Sequence, residues 1–356
     1  MAAWNSLMRI LNCMWSAEAA FKSVHLVHSN FISAVAPEYQ TSIFLMGDAS
    51  KQKDLEFAES FHSSKKATRK TIAVYFLRRR WLSKIQQIQP DVVILDGLGM
   101  ARLLLPVLEK YRQARVLIYF HGQTRFEEHD LEQLNKQYDF SLKLIAVSKT
   151  LATQIKEKVP FLPVLAIPTY LNLPAVKIQP IIDKKTIILG AVGRLVAEKN
   201  FSVLIDCMAQ LRDKGVHISL SIAGDGKQRN ELQDKINQLG LSKQIKLLGH
   251  KTDIASFYQG IDLLLVPSLQ EGQGLILQEA IHYGVPIICS DLPVFKEQLA
   301  DSGVYCVASD AEAWSKACVE HVPAKVRQLL FECQQRQHQQ YNNTELFDKR
   351  CLAAVL

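Results

Sequence analysis

The strand-like segments of this chain are apolar on successive residues rather than alternate ones, and a segment of helical spacing follows nearly every one. Residues 186–192 (TIILGAV) and 262–266 (DLLLV) are the clearest. A strand that is apolar on both faces must be covered on both faces, and a crossover helix after each strand is what a parallel sheet needs. The pattern therefore predicts an α/β fold built from parallel sheets.

The second half reads most clearly. After 186–192, residues 200–214 place Phe201, Leu204, Ile205, Met208 and Leu211 on one helical face. A strand at 217–223 closes on Gly224-Asp225-Gly226, and a polar helix over 227–239 ends at Gly240. Strands at 245–248, 262–266, 286–289 and 303–307 follow, with helices at 252–258 and 274–283 and a helical region after 310. The first half repeats the rhythm, with strands at 7–12, 42–46, 92–96, 115–120 and 143–147. Its helices read as 17–35, 69–89, 99–112, 127–138 and 149–158. The 356 residues, 48% of them apolar, suit two such units. Pro160, Pro163, Pro168, Pro174 and Pro180 break the period between them. The expected division is 1–168, a linker at 169–184, a second domain at 185–340, and a tail at 341–356 that crosses back to the first.

Seven scattered cysteines with no CxxC pair fit a reducing cytoplasm and offer no zinc spacing. The sequence has no apolar run of transmembrane length. The apolar stretch at its start is broken by Arg9, Asn12 and Glu18, so no signal peptide is expected. Charge is unevenly placed. Residues 1–170 hold 22 Lys+Arg and 15 Asp+Glu, and residues 171–356 hold 20 of each. Lys65, Lys66, Arg69, Lys70, Arg78, Arg79, Arg80 and Lys84 form a basic run with no acid between Glu59 and Asp91. Such a run, interleaved with Ile72, Val74, Tyr75, Leu77, Trp81, Leu82 and Ile85, suits either an anionic membrane surface or a solvated helix packed on its own sheet. It lacks the aromatic platform of a nucleic-acid binder.

Ligands of open parallel sheets bind beyond the carboxyl ends of the strands. There, Gly193-Arg194-Leu195 follows strand 186–192, with Glu198-Lys199 next. Arg194 offers a planar fork and Lys199 a point charge, which together suit a diphosphate; the alternative is an ion pair of either cation with Glu198. After strand 262–266, Glu271 stands in a loop, Gly272 and Gly274 allow close backbone approach, and a helix beginning near Gly274 presents free N–H groups. Glu279, within that helix, can accept from vicinal hydroxyls. Gly224, Asp225 and Gly226, and Gly249-His250-Lys251, stand at two further strand ends, as donor contacts or simply as turns. His121-Gly122 ends the strand 115–120, and Ser148 follows 143–147, where it reads first as a helix N-cap.

The order VGRL-x-x-EK (192–199), IAGDG (222–226), Gly249, then VPS-x-x-EG-x-G-x-x-x-x-EA-x-x-x-GVPII (266–288) resembles glycosyltransferase family 4. The likeness is strong over 186–300 and weak before 115. It implies the GT-B fold: two Rossmann-like parallel-sheet domains facing each other across a cleft. It also implies a retaining transferase using a nucleotide diphosphate sugar, with UDP-sugars the commoner choice, and a glycan or lipid-linked acceptor of bacterial surface polysaccharide. Arg194 and Lys199 would hold the diphosphate, Glu271 the sugar and Glu279 the ribose. Backbone at Gly274 and Leu275 would contact phosphate, and His121 would reach the sugar across the cleft. Gly193, Gly224, Asp225 and Lys251 complete the expected donor set. With no Asp-x-Asp pair at a strand end, no essential metal is expected. The chain departs from the family at 12–18, where the usual glycine-rich loop has no glycine, and at Pro168-Thr169-Tyr170, where Pro-Asn-Gly is usual. The first departure admits a second reading, a nucleotide-sugar-binding subunit with impaired catalysis. Gly190-Ala-Val-Gly193 lacks the spacing of a nicotinamide-binding turn.

Overall fold

A computed structural model describes residues 8–14, 22–35, 39–45, 61–63 and 71–356. The chain forms two compact units, residues 1–170 with 344–356, and residues 171–343. The stretch 12–18 is described only through residue 14, and Lys65, Lys66, Arg69 and Lys70 lie outside the described residues.

In the first unit, strands β1 (Met8–Met14), β2 (Tyr39–Leu45), β3 (Phe61–Ser63), β4 (Val92–Asp96), β5 (Arg115–Phe120), β6 (Leu142–Ala146) and β7 (Val164–Ala166) form one sheet. Its order is β3-β2-β1-β4-β5-β6-β7, parallel at every pairing. Helices α1 (Lys22–Val35), α2 (Thr71–Ile88), α3 (Gly97–Tyr111), α4 (Glu128–Asn135) and α5 (Lys149–Lys158) make the crossovers. The sheet order runs outward both ways from β1 and β4, which leaves a crevice where the direction reverses. β3 and β7 extend the five strands expected from sequence. Each is three residues long, too short to carry a period, and β7 lies between Pro163 and Pro168. Ser148 is fully buried and caps α5, its Oγ accepting from Leu151 N at 3.1 Å, as an N-cap reading requires.

The second unit repeats the order. Strands β8 (Ile187–Val192), β9 (Ile218–Ala223), β10 (Ile245–Gly249), β11 (Leu263–Val266), β12 (Ile287–Ser290) and β13 (Val304–Cys306) run β10-β9-β8-β11-β12-β13, all parallel. Helices α6 (Phe201–Asp213), α7 (Arg229–Gln238), α8 (Ile254–Gln259), α9 (Leu275–His282), α10 (Pro293–Leu299), α11 (Ala311–His321) and α12 (Ala324–Tyr341) cover it. Helix α10, opened by Pro293 at its first turn, has no counterpart among the expected elements.

The pairing of β8 with β11 is short, Leu263 with Leu189 and Leu264 with Gly190. Asp262 reinforces it. Its N–H donates to Ile188 O at 2.7 Å, and its Oδ2 accepts from Ile188 N at 2.9 Å. Its Oδ1 takes Lys184 Nζ at 2.6 Å and Arg327 Nη1 at 3.2 Å. Arg327 also donates to Val322 O at 2.8 Å and Ile182 O at 2.9 Å. Both Arg327 and Asp262 are almost wholly buried. Residues 171–184, read above as connection, are therefore fastened to the second unit through Ile182 and Lys184.

Helix α13 (Thr344–Val355) sends Phe347, Cys351, Ala354 and Val355 into the core of the first unit. The open carbonyls at its end accept from Arg115 Nη1 (Val355 O, 2.7 Å) and Lys143 Nζ (Ala354 O, 3.1 Å), both cations placed where the helix dipole favours them. Tyr170 packs edge-on against Phe347 at 5.1 Å, and Thr169 accepts from Asn30 at 3.0 Å. In this chain, then, Thr169 and Tyr170 serve packing.

Removing one member of a buried ion pair strands the other charge. Arg327→Ala is expected to lower unfolding free energy by about 3 kcal/mol or more, measured by urea denaturation of the full chain. A loss below about 1 kcal/mol would contradict the role given to Asp262.

Candidate active site

In the second unit, three loops at the carboxyl ends of neighbouring strands are fastened to each other by their backbones. Gly193 N donates to Ala223 O at 3.0 Å, Leu195 N to Asp225 O at 2.9 Å, and Gly224 N to Gly249 O at 2.8 Å. The glycine that matters most is Gly224, at φ +139°. A Cβ there would stand 1.8 Å from Gly193 O. The glycines of IAGDG thus let loop pass loop, and the Asp225 side chain, exposed, accepts from Gly226 N at 2.8 Å. Lys251 is exposed just beyond β10.

The chain leaves β8 through Gly193 and Arg194 and makes a short 3-10 turn at Ala197–Lys199. Leu269 N, in the loop after β11, donates to Glu198 O at 2.8 Å. This bond sets the two loops side by side across the switch point, and Lys199 Nζ meets Glu271 Oε1. Ser268 Oγ donates to the same oxygen at 3.0 Å. The pair retains 23% and 14% side-chain exposure, so it is shielded but reachable. Lys199 is thus paired with an acid 72 residues away instead of the adjacent Glu198. Arg194 is exposed and makes no hydrogen bond or ion pair to the described residues.

Three residues past Glu271, Gly274 starts α9 at φ +82°, with no side-chain cap on the helix. A Cβ on Gly274 would lie 2.6 Å from Phe295 Cε1, so α9 can begin this close to α10 only with glycine at that position. Gln298 Nε2 donates to Gln273 O and braces the same loop. Leu275 is the first helical residue. Glu279, a turn further on, accepts from Tyr258 OH at 2.8 Å, and Tyr258 stacks on Tyr283 with centroids 5.1 Å apart. Burial, and then the Glu279 carboxylate, push the Tyr258 phenol well above its ordinary range, so it remains a donor.

Of the second-unit residues expected from sequence, the structure brings Lys199 to Glu271 and Gly193 to Gly224, and ties Leu195 to Asp225. Gly274 and Leu275 lie next to the Lys199–Glu271 pair in the chain. Glu279 stands a turn inside α9 and Lys251 just beyond β10. Ser268 and Tyr258, which orient the two glutamates, went unread; Ser268 stands within the VPS motif itself.

The first unit gathers a cluster at its own switch point. His121, at the end of β5, has Nε2 3.0 Å from His28 Nε2 and 3.4 Å from Asp96 Oδ1. His28 Nδ1 lies 2.7 Å from Asn12 Oδ1. Tyr119 stacks on His121 at 5.2 Å and 8°. His28 and Asn12 are each 1% exposed. Burial, then His121, lower the His28 pKa to about 3, which keeps it neutral. Only His121 was expected, because Asn12, His28 and Asp96 are scattered over β1, α1 and the end of β4. One donor atom from each of His28, Asp96 and His121 lies within 4.8 Å of the others, a spacing that a metal could also use. The other such group among the described residues is Glu127, His129 and Asp130. There Asp130 is already held by both Arg102 nitrogens at 2.7 Å.

Two parallel, helix-covered sheets of this order define the GT-B class of glycosyltransferase folds. A solved structure, the apo form of the lipopolysaccharide outer core galactosyltransferase WaaB, superposes with a TM-score of 0.77 over 98% of this chain and 99% of that one, at 18% identity. Residues 175–325 match the family model of the glycosyl transferases group 1. Among curated relatives, a UDP-N-acetylglucosamine–peptide N-acetylglucosaminyltransferase GtfA subunit of Streptococcus agalactiae is 28% identical over 229 residues, 60% of this chain and 44% of that protein. The lipopolysaccharide core biosynthesis mannosyltransferase LpsB of Rhizobium meliloti is 26% identical over 156 residues, 39% of this chain and 42% of that one. The chain thus spans under half the length of either relative.

An ion pair that water still reaches contributes little to stability, whereas a loop crossing that tolerates only hydrogen contributes much. Lys199→Ala and Glu271→Ala are each expected to change unfolding free energy by less than about 1 kcal/mol. Gly224→Ala should cost about 2 kcal/mol or more. Chemical denaturation of the three variants checks this ranking.

Proposed function

We propose that this chain is a retaining glycosyltransferase of family 4 type, moving a sugar from a nucleotide diphosphate donor, UDP-linked, to a glycan or lipid-linked acceptor of bacterial surface polysaccharide. The observation that carries the reading is the Lys199–Glu271 pair beside the uncapped start of α9, at the switch point of the second sheet. The group 1 match over 175–325 supports it. The UDP donor named for the streptococcal relative and the lipopolysaccharide core named for the rhizobial one agree with the donor and acceptor classes.

In the resting protein Glu271 neutralises Lys199. An arriving diphosphate gives the ammonium a second anionic partner, and Glu271 can then accept from sugar hydroxyls while Ser268 holds its orientation. As the bond from C1 to the diphosphate oxygen breaks, negative charge grows on the leaving phosphate. Lys199, Arg194 and the first N–H groups of α9, near Gly274 and Leu275, stabilise that charge, and they need no divalent ion to do so. Glu279, aimed by Tyr258, takes the ribose hydroxyls. The acceptor hydroxyl attacks on the face the diphosphate leaves, with retention.

The proposal extends to an anionic membrane surface met through 65–84, next to the acceptor. On α2, Trp81 and Ile85 are buried, whereas Arg79 and Arg80 are exposed beside Tyr75 and Phe76. Arg78 is instead engaged with the α3 carbonyls of Leu103 (3.2 Å) and Arg102 (3.0 Å). Among the described residues no helix is long and apolar enough to cross a membrane.

Arg194→Ala and Lys199→Ala, with folding verified by circular dichroism, are each expected to lower kcat by about 100- to 1,000-fold. A chelator should leave turnover unchanged, and UDP-sugars should raise Tm more than other nucleotide sugars. Near-normal turnover in both variants overturns the assignment. In a separate test, sedimentation with anionic vesicles should be lost at high salt and on charge reversal of Arg79 and Arg80.

A further inference from the structure

Three side chains of the first unit bring donor atoms together where the order of its sheet reverses. His121, directly after β5, has Nε2 3.0 Å from His28 Nε2 on α1 and 3.4 Å from Asp96 Oδ1 at the end of β4. All three donor atoms lie within 4.8 Å of one another. Tetrahedral zinc, with bonds of about 2.0–2.1 Å to nitrogen and oxygen, sets its donor atoms roughly 3.3 Å apart. The two measured edges are close to that spacing, so small side-chain rotations would seat an ion. Two imidazoles and a carboxylate are also a donor set that first-row divalent ions accept. The His28 ring is held from behind. Its Nδ1 lies 2.7 Å from Asn12 Oδ1, an acceptor, so the hydrogen of His28 sits on Nδ1 and Nε2 keeps its lone pair for a ligand bond. Tyr119 stacks on the His121 ring at 5.2 Å and 8°. Asn12 and His28 are 1% exposed, whereas the His121 and Asp96 side chains retain 16% and 12%, which leaves an ion a way in. The other cluster of this spacing among the described residues, Glu127, His129 and Asp130, is poorer. Its Asp130 carboxylate already holds the Arg102 guanidinium, a cation that an incoming ion would have to displace.

We propose that His28, Asp96 and His121 form a zinc site in the first unit, with water as the fourth ligand and Asn12 as the residue that orients His28. The ion neutralises the carboxylate and takes both nitrogen lone pairs, so it replaces whatever protons the three groups hold between them. Zinc there joins the ends of β4 and β5 to α1, across the place where the strand order turns around. All three ligands belong to one unit. No residue of the second unit takes part, and the ion supplies no step of the transfer proposed above, so a chelator that empties the site leaves the donor chemistry in place. The site also gives a reason for Asn12 on a strand whose neighbours Leu11 and Cys13 are apolar and buried.

Zinc titration of the chelator-treated full chain tests the site. One equivalent is expected to bind with micromolar or tighter affinity and to raise Tm. Cobalt bound in its place should show the visible bands of a tetrahedral ion without the near-ultraviolet band of a thiolate ligand, which separates this site from the seven cysteines. Asn12→Ala, which leaves all three ligands in place, should weaken zinc binding about 10- to 100-fold. His28→Gln and Asp96→Asn should each weaken it further, and His129→Ala should leave it unchanged. Circular dichroism checks the folding of each variant, and the cobalt spectrum of the wild type remains decisive where a variant does not fold. A wild-type chain that binds no zinc, a cobalt spectrum with thiolate charge transfer, or zinc binding indifferent to both His28→Gln and Asp96→Asn each overturns the proposal.

Discussion

The second unit depends on how β11 is held beside β8. Only two residue pairs register between these strands, yet their adjacency is what turns the sheet order around and opens the crevice beyond their ends. Asp262 does most of the holding. It bonds Ile188 through both its backbone and its carboxylate, and it receives Lys184 from the incoming segment and Arg327 from α12. The segment that enters the domain, its first strand, its fourth strand and its last helix thus meet at one buried carboxylate. The functional loops hang from the opposite ends of the same two strands. A charge at the foot of the sheet therefore sets the spacing of charges at its head.

At that head the interactions are of two strengths, and the difference matters. The loop crossing of Gly224 over Gly193 is closed by backbone bonds and leaves no room for a side chain on Gly224, so it forms a rigid floor. The Lys199–Glu271 pair on top is shielded but solvent-reachable, and a pair of that kind is easily exchanged for another partner. A fixed base carrying an exchangeable ion pair is suited to admit an anion without rearranging the fold. The neighbouring Glu279 is different in kind, because a buried phenol aims it in advance.

The sequence was legible wherever chemistry and chain proximity coincide. Apolar runs without alternation announced the parallel sheets, and Gly-Arg, Glu-Gly-x-Gly and the strand-end histidine marked three loops. Three-residue strands such as β3 and β7 carry no period to read. The partner of Lys199 was not legible either, because it depends on a backbone bond from Leu269 to Glu198 that only the folded loops create. The Asn12–His28–Asp96–His121 cluster was invisible for a similar reason. Its members span more than a hundred residues and three kinds of element, and a histidine on the buried side of α1 looks like any core residue until its neighbours are known.

Helix α13 makes the first unit discontinuous in the chain. Phe347, Cys351, Ala354 and Val355 complete a core whose other buried members all precede residue 168, with the whole second unit threaded between. On a ribosome the first sheet would emerge before the second and yet wait for residues 344–356 before its apolar flank is sealed, while the second unit, continuous in sequence, could finish earlier. Order of synthesis and order of completion are therefore inverted in this protein, and a fragment ending with the second unit would carry an unfinished partner domain with an open hydrophobic seam.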